Sequence, residues 1–140
     1  MDITMIEQLT FSVSRQGLHS ITTTVNETIS RLFNKQNGLC TLFIQHTSAS
    51  LLIQENYDDS ARRDLEHWLN RLVPEHDPIY THTLEGSDDM PAHIKASLTA
   101  SSLSIPIING KLALGTWQGI YLWEHRHASS NRNVILHISS

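Results

Sequence analysis

The sequence predicts an α+β fold, a two-sheet β-sandwich of mostly antiparallel strands with two or three helices. Alternating apolar and polar residues predict strands near both ends of the chain, and residues at helical spacing lie between them. The chain has 140 residues, of which 39% are hydrophobic, enough for the core of one compact domain. Because no linker, internal repeat or low-complexity segment divides the chain, residues 1–140 are interpreted as a single domain.

The first part of the chain is predicted to contain three strands and one helix. Alternation predicts a half-buried strand over Ile3–Val13, and threonine and isoleucine predict a second strand over Leu18–Val25. Asn26 can cap a following helix that Gly38 would end. Leu39–His46 is apolar almost throughout, which predicts a central strand covered on both faces and ending at a histidine.

The rest of the chain is predicted to contain two helices and five more strands. Apolar residues at helical spacing predict a helix over Asp58–Leu72, and another begins where Asp88 or Asp89 can cap it. The dipeptide Asn109-Gly110 is typical of a hairpin turn. The remaining predicted strands are Leu51–Gln54, Leu103–Ile108, Lys111–Leu114, Ile120–Glu124 and Val134–Ile138.

The composition argues against several classes of protein. The formal net charge is −4 and no face collects lysine and arginine, so a nucleic-acid partner is not expected. No apolar run approaches the length of a membrane span, and no secretory leader is recognised. The single cysteine, Cys40, rules out an internal disulfide and is typical of a reducing compartment. We therefore expect a cytoplasmic protein that binds neither nucleic acid nor a membrane.

One stretch, EGSDDMPAHIKASL, concentrates groups that bind ions. Three carboxylates, Glu85, Asp88 and Asp89, precede His93 and Lys95. If Asp89 lies at the helix start, His93 follows about one turn later on the same side. Carboxylates, an imidazole and the free backbone N–H groups of a helix N-terminus can then serve a cation or an anion. A well-capped surface helix is the alternative interpretation.

Nine histidines are dispersed along the chain, and a converging subset would form a metal site. His46, His82 and His93 fall at strand ends, helix starts or loops, where side chains can meet in a cleft. With Asp89 they form a plausible ligand set for a divalent ion, magnesium or zinc, with an open coordination position. His46 has a second interpretation, because a histidine that ends a buried strand is often a hydrogen-bonded core residue.

Cations and hydroxyls near these residues suit a phosphorylated ligand. Lys95 and Arg126 can bind a phosphate or diphosphate, the arginine as a bidentate fork. Ser48 lies in a run of small hydroxyl residues that can donate to a ligand. A Ser48 nucleophile with His46 as base is disfavoured, because residues two apart in the chain are not arranged as a dyad requires. P-loop, GxSxG, HExxH and CxxC motifs are absent, so these patterns leave the reaction open.

Five motifs also carry a family resemblance: QHTSASL (45–51), EN-x-D (55–58), DDMP, HIKASL (93–98) and GTWQGIYLWEHR (115–126). They occur in this order along essentially the whole chain, which thereby resembles the YjbQ-like family. The resemblance implies a two-sheet α+β sandwich that assembles as a homotrimer. It also implies a secondary thiamine-phosphate synthase, a transferase that joins hydroxymethylpyrimidine diphosphate and thiazole phosphate with release of diphosphate.

The same resemblance implies which polar residues form the site. The matching residues are His46, Asn56, Asp58, His82, Asp88, Asp89, His93, Lys95, Gln118, Glu124 and Arg126. We expect catalytic roles for His46, Asn56, Asp58, Gln118 and Glu124, substrate or phosphate binding by Lys95, Arg126 and Ser48, and metal binding by His46, His82, His93 and Asp89.

Within this set, Asn56 or Gln118 would hydrogen-bond the aminopyrimidine edge, since a planar amide offers both a donor and an acceptor. Two other functions use the same cations and carboxylates and stay open. One is a non-catalytic binding or assembly protein for a phosphorylated metabolite. The other is a metal-dependent hydrolase with Asp58 or Glu124 as general base.

Overall fold

The computed structural model describes residues 4–34 and 36–140. Within them the chain forms an α+β fold with eight strands and three helices. The strands are β1 Thr4–Val13, β2 Gly17–Ser20, β3 Gly38–Ile44, β4 Ala49–Glu55, β5 Ser102–Ile108, β6 Lys111–Leu112, β7 Gln118–Glu124 and β8 Ser130–Ser139. The helices are α1 Thr22–Leu32, α2 Asp59–Leu72 and α3 Asp89–Leu98. None of these three helices is both long and apolar enough to cross a membrane.

Two antiparallel sheets confirm the predicted architecture. One sheet has five strands in the order β1-β8-β3-β5-β6, and the other has three in the order β2-β7-β4. The first and last strands, β1 and β8, are each ten residues long and pair along their whole length. The predicted start of the first strand at Ile3 lies outside the described residues.

The main hydrophobic core lies between the two sheets and α1. It includes Leu42 of β3 and Leu136 of β8 from the larger sheet, and Leu51 of β4 and Leu122 of β7 from the smaller one. A second cluster forms where α2 and α3 cover the other face of the smaller sheet, with Leu69 of α2 buried in it. Because apolar groups lie on both of its faces, all of β7 except its first residue is buried.

The predicted strand over Leu18–Val25 is wrong beyond β2. Helix α1 begins at Thr22, so Asn26 lies inside a helix rather than at its cap. The cause is a helical stripe: Ile21, Val25 and Ile29 are spaced by four residues, and all three are buried in the main core. Burial of this stripe outweighs the strand propensity of the threonines between them.

Strand β3 also differs from its prediction. Gly38 begins the strand instead of ending the preceding helix, and the strand ends at Ile44, two residues before His46. Leu39 and Phe43 are 38% and 49% exposed, whereas Cys40 and Leu42, on the opposite face of the strand, are fully buried. The strand is therefore covered on one face in this chain, and its other face is open.

Candidate metal centre

Four side chains around the start of α3 form a cluster of potential metal ligands. His82 and Glu85 belong to the loop before the helix, Asp89 is its first residue, and His93 follows one turn later. One potential ligand atom of each lies within 4.8 Å of the others. The i, i+4 spacing of Asp89 and His93 on one helix explains their common side. We call these four residues the metal-ligand cluster.

The carboxylate of Asp89 is the centre of this cluster. Its side chain is buried, and its Oδ2 lies 2.7 Å from Nε2 of His82 and 3.1 Å from Nε2 of His93. Its Oδ1 accepts from Nη1 of Arg126 at 2.6 Å. Burial raises the pKa of Asp89, but the hydrogen bond from His82 and the neighbouring charges outweigh burial, so this pKa lies below its ordinary value. Asp89 is therefore an ionised carboxylate beneath two imidazoles.

His93 has an acceptor at each of its two ring nitrogens. Its Nδ1 lies 2.9 Å from the backbone oxygen of Thr47, and its Nε2 faces the carboxylate of Asp89. A neutral imidazole has one N–H and donates to only one of these acceptors. When Nδ1–H donates to a backbone carbonyl, the lone pair of Nε2 points the other way, as in metal-ligating histidines. In the tautomer with the proton on Nδ1, His93 therefore has the orientation of a metal ligand.

The donor set fits a divalent transition metal. Two imidazoles and two carboxylates are ligands that zinc accepts, whereas magnesium prefers oxygen ligands with several waters. The side chains of His82 and Glu85 are 47% and 65% exposed, so one side of the cluster is open to solvent. Of the two cations predicted from the sequence, these residues fit zinc better.

Arg126 binds the carboxylates of this region instead of facing an open cleft. Besides its bond to Asp89, its Nη2 donates to the backbone oxygen of Glu85 at 2.8 Å, and its Nε lies 3.2 Å from Oδ2 of Asp88. Burial lowers the pKa of Arg126, but the hydrogen bond and the charge of Asp88 outweigh burial and raise this pKa above its ordinary value. The guanidinium fork predicted to bind phosphate is thus occupied by protein groups.

Lys95 lies below the surface, between α3 and α2. Its residue is 3% exposed, and its Nζ donates to Oδ1 of Asn70 at 2.6 Å. Burial lowers the pKa of Lys95, and the charges of Glu75 and Asp88 oppose that change. The structure therefore does not bring Lys95 to the open side of the metal-ligand cluster, where a phosphate would enter.

His46 is not brought into the cluster. Its Nε2 accepts a hydrogen bond from the backbone N–H of Asn133 at 2.8 Å, which occupies that nitrogen. Burial and the charge of Arg132 lower the pKa of His46. It lines a groove of about 470 Å³ that also includes His93. The oxygen of the nearby Ser48 accepts from Nη2 of Arg132 at 2.9 Å, which fixes the position of the predicted phosphate donor.

Glu124, predicted to be catalytic, is fully buried. Its Oε1 accepts from Nε of Arg132 at 2.7 Å and from Oγ of Ser130 at 2.8 Å. Its Oε2 accepts from Nη2 of Arg132 and from the backbone N–H of Arg126 at 3.0 Å. Burial raises the pKa of Glu124, but these hydrogen bonds outweigh burial and keep this pKa below its ordinary value. A substrate would contact this carboxylate only by displacing Arg132.

Asn56, Asp58 and Gln118 lie at the other end of the smaller sheet. β4 and β7 pair from Ala49 opposite Glu124, near the cluster, to Glu55 opposite Gln118. Seven paired residues separate the two ends by about 20 Å. Oδ1 of Asp58 caps α2 by accepting from the N–H of Ser60, and Gln118 accepts from the N–H of Gly115. One chain thus holds these three predicted catalytic residues away from the metal-ligand cluster.

Sequence reasoning missed His125, the residue between Glu124 and Arg126. It is buried, its Nε2 lies 2.9 Å from Oγ of Ser50, and its Nδ1 has no hydrogen-bond partner among the described residues. Burial and the charge of Lys95 lower the pKa of His125 to about 3. The burial of His125 could have been predicted from the nearly continuous apolar run of β7, which ends one residue before it. Such a run predicts a strand buried on both faces.

The comparisons with known sequences agree on one family. The family model described as UPF0047 protein YjbQ-like matches residues 7–140. The UPF0047 protein sll1880 of Synechocystis sp. is 47% identical over 133 residues, which are 95% of this chain and 90% of that protein. The UPF0047 protein YjbQ of Escherichia coli O157:H7 is 42% identical over 127 residues, 91% of each chain.

Solved structures agree with the fold described above. A crystal structure of an uncharacterized conserved protein of the YjbQ/UPF0047 family from Clostridium acetobutylicum is 36% identical, with a TM-score of 0.84 over 94% of this chain and 98% of that one. A YbjQ-like protein of unknown function from Sulfolobus solfataricus P2 is 24% identical, with a TM-score of 0.89, and supports the fold alone. By sequence and by fold, this chain belongs to the YjbQ-like UPF0047 protein family.

Proposed function

We propose that this chain is a divalent-metal-dependent transferase of the secondary thiamine-phosphate synthase type. It joins hydroxymethylpyrimidine diphosphate to thiazole phosphate and releases diphosphate. The reaction class rests on the motif resemblance, and the metal dependence rests on one observation, the two acceptors that flank His93. A cation on Nε2 satisfies both contacts without a second ring proton.

In this proposal His82, Asp89 and His93 hold the cation, and Glu85 supplies a fourth ligand on the open side. When bound, the cation supplies Lewis-acid stabilisation of the negative charge that develops on the leaving diphosphate. Glu85 is the most exposed of the four residues by side-chain fraction, so it is the ligand that a substrate oxygen replaces most easily.

Arg126 acts through Asp89 in this proposal instead of binding phosphate as a fork. Its guanidinium keeps the carboxylate of Asp89 ionised and turns Oδ2 toward the two imidazoles. Because Lys95 is buried against Asn70, its contribution is a positive charge behind α3 rather than a direct contact with phosphate. These two cations therefore support the centre from the protein side.

The same proposal includes the homotrimer. The outer face of the five-stranded sheet, formed by Ile6, Leu39, Phe43 and Ile108, leaves these apolar side chains exposed. Exposed apolar side chains on one sheet face suit an interface between copies, and a closed ring of copies would cover them. Another copy would also bring an Asn56–Gln118 end toward a metal-ligand cluster, which one chain alone cannot do. The exposed apolar face is the observation that supports self-association, and the second argument rests on the site residues that the motif resemblance implies.

The test of this function uses zinc-loaded protein with the two thiamine precursors. We expect diphosphate and thiamine phosphate to form in equal amounts, and both to stop after chelation and in His93→Ala. Equal activity with and without bound metal would contradict the metal dependence. Ligand binding without turnover would instead support the non-catalytic alternative.

A metal-dependent hydrolase is the second candidate, and Glu85 is the observation that favours it. The bases predicted for a hydrolase, Asp58 and Glu124, are a helix cap and a buried ion-pair member. Glu85 is an exposed carboxylate 3.4 Å from His82 and can act as a base beside the cation. Release of diphosphate from the pyrimidine substrate without coupled product would identify this activity.

A further inference from the structure

We infer that the buried pair Glu124–Arg132 positions the metal-ligand cluster from behind, so that both are positioning residues and not catalytic ones. Two hydrogen-bonded routes lead from this pair to two of the proposed ligands, His93 and Asp89. This role rests on the metal centre proposed above, because the pair controls the geometry of two of its ligands. Neither residue of the pair contacts the open side of the cluster.

The first route runs through the loop between β3 and β4. Nη2 of Arg132 donates to Oγ of Ser48 at 2.9 Å and lies 3.4 Å from its backbone oxygen. The preceding residue, Thr47, presents its carbonyl to Nδ1 of His93 at 2.9 Å. The next residue along β8 binds His46 at the start of the same turn. The position of the Thr47 carbonyl, and with it the tautomer of His93, therefore depends on Arg132.

The second route runs along the chain from β7. Oε2 of Glu124 accepts from the backbone N–H of Arg126 at 3.0 Å. The side chain of Arg126 then donates to Oδ1 of Asp89 at 2.6 Å and to the backbone oxygen of Glu85 at 2.8 Å. Glu124 thus fixes the backbone of Arg126, whose side chain orients the carboxylate of Asp89 at the centre of the cluster.

The energetics of the pair favour a positioning role over a stabilising one. Glu124 is fully buried and Arg132 is nearly so, and a buried ion pair loses much of its Coulomb attraction to desolvation. Apolar residues of similar volume often stabilise a fold equally well or better. What apolar residues cannot supply is the pair of hydrogen-bonded routes to His93 and Asp89. Groups that orient metal ligands in this way typically change metal affinity about 10–100-fold when removed.

The experiment compares the affinity of the protein for Zn²⁺, measured by competition with a chromophoric chelator, among four variants. Glu124→Gln with Arg132→Met removes both charges together, so no unpaired charge is left in the core. Ser48→Ala removes only the hydroxyl at the end of the first route and keeps the ion pair. Val25→Ala, a core change in α1, controls for loss of stability, and His93→Ala defines the loss of the centre itself.

We expect the double variant to bind Zn²⁺ about 10–100-fold more weakly, Ser48→Ala to fall between it and the wild type, and Val25→Ala to bind normally. The Nδ1–H proton resonance of His93 should shift or disappear in the first two variants and stay in the third.

If His93→Ala binds Zn²⁺ normally, the metal centre itself is wrong. If His93→Ala loses Zn²⁺ but the double variant and Ser48→Ala bind it normally, the centre stands and the positioning role is wrong. If the double variant does not fold, Ser48→Ala and its His93 resonance decide the question alone.

Discussion

Nε2 of His93 lies 3.1 Å from Oδ2 of Asp89, and the same carboxylate oxygen is 2.7 Å from Nε2 of His82. One oxygen therefore faces two imidazoles, with a cationic guanidinium on the opposite oxygen. Protons on the rings or one divalent cation can occupy the space between these atoms. Because a metal ion and protons compete for the same lone pairs, this relationship couples the protonation of the cluster to metal binding.

Replacing His93 by alanine should remove tightly bound Zn²⁺ while leaving the fold intact. The ring supplies one ligand atom, and its only other described hydrogen bond is to the Thr47 carbonyl. Metal content after dialysis checks this, with circular dichroism as the test of folding. His67→Ala, a change of an exposed histidine on α2, is the matched control and should keep its metal. Retention of full metal content in His93→Ala would contradict the metal site and would mean that the cluster has only a structural role.

Replacing His46 by alanine should lower stability without removing the metal. The ring accepts the backbone N–H of Asn133, and loss of this partner leaves a polar group of β8 unsatisfied. We expect a loss of about 1 kcal/mol in the free energy of unfolding, measured in urea, with Zn²⁺ still bound at saturating concentration. Loss of the metal from a folded His46→Ala protein would instead restore His46 as the ligand that the sequence predicted.

The sequence predicts those parts of the site that depend on local spacing. Asp89 and His93 are four residues apart, and α3 begins at Asp89, one of the two starts that the sequence offers, so their common side follows from helix geometry. The side chain of Asp88, the other candidate cap, makes no capping hydrogen bond. The fold class follows equally from alternation at the two chain ends. These features need no knowledge of how the elements pack against each other.

The parts that were not predicted depend on packing between distant elements. Lys95 is buried because α2 places Asn70 against it, 25 residues away in the chain. Arg126 and Glu124 bind protein groups because β7 lies between α3 on one side and β8 on the other. A charged residue in a motif has the same sequence signature whether its partner is a substrate or another side chain. Only the structure separates the two cases.

The pH dependence of stability should contain a contribution from His125. The pKa of this imidazole is lowered to about 3 in the folded chain and lies near 6.5 when unfolded. As pH falls below about 6.5, the unfolded chain binds a proton that the folded chain does not, so stability falls. Between pH 7.5 and 5.5 we expect this single group to account for about 1 kcal/mol.

Urea unfolding at these two pH values checks the contribution of His125. His125→Gln should lose about 1 kcal/mol less than the wild type between pH 7.5 and 5.5, because glutamine does not titrate. At pH 5.5 most carboxylates are still ionised, so their effects are largely the same in both proteins. His67→Gln, at an exposed position, should retain the wild-type dependence. Equal losses in His125→Gln and the wild type would show that His125 is not held neutral in the folded chain.

Self-association should depend on the outer face of the larger sheet. Phe43 is 49% exposed there, and a glutamate in its place would put a charge into any interface that this face forms. We expect Phe43→Glu to give a monomer in light scattering at micromolar concentration, where the wild type gives a trimer. Leu72→Glu changes an apolar residue of α2 that is 54% exposed, and should leave the assembly unchanged. A monomeric wild type would contradict the proposed assembly directly.

Turnover should depend on Arg126 through its effect on Asp89. Arg126→Ala removes the charge that faces Oδ1 of Asp89 and the donor to the Glu85 backbone, so the central carboxylate loses its orientation. We expect kcat for diphosphate release to fall about 10–100-fold, the scale typical of losing a residue that orients a metal ligand. Arg126→Lys should recover part of the rate, because the charge returns while the fork does not.

A direct phosphate contact predicts mainly a rise in KM at unchanged Zn²⁺ affinity, whereas action through Asp89 predicts weaker Zn²⁺ binding together with the lower kcat. Full turnover in a folded Arg126→Ala protein would exclude both roles.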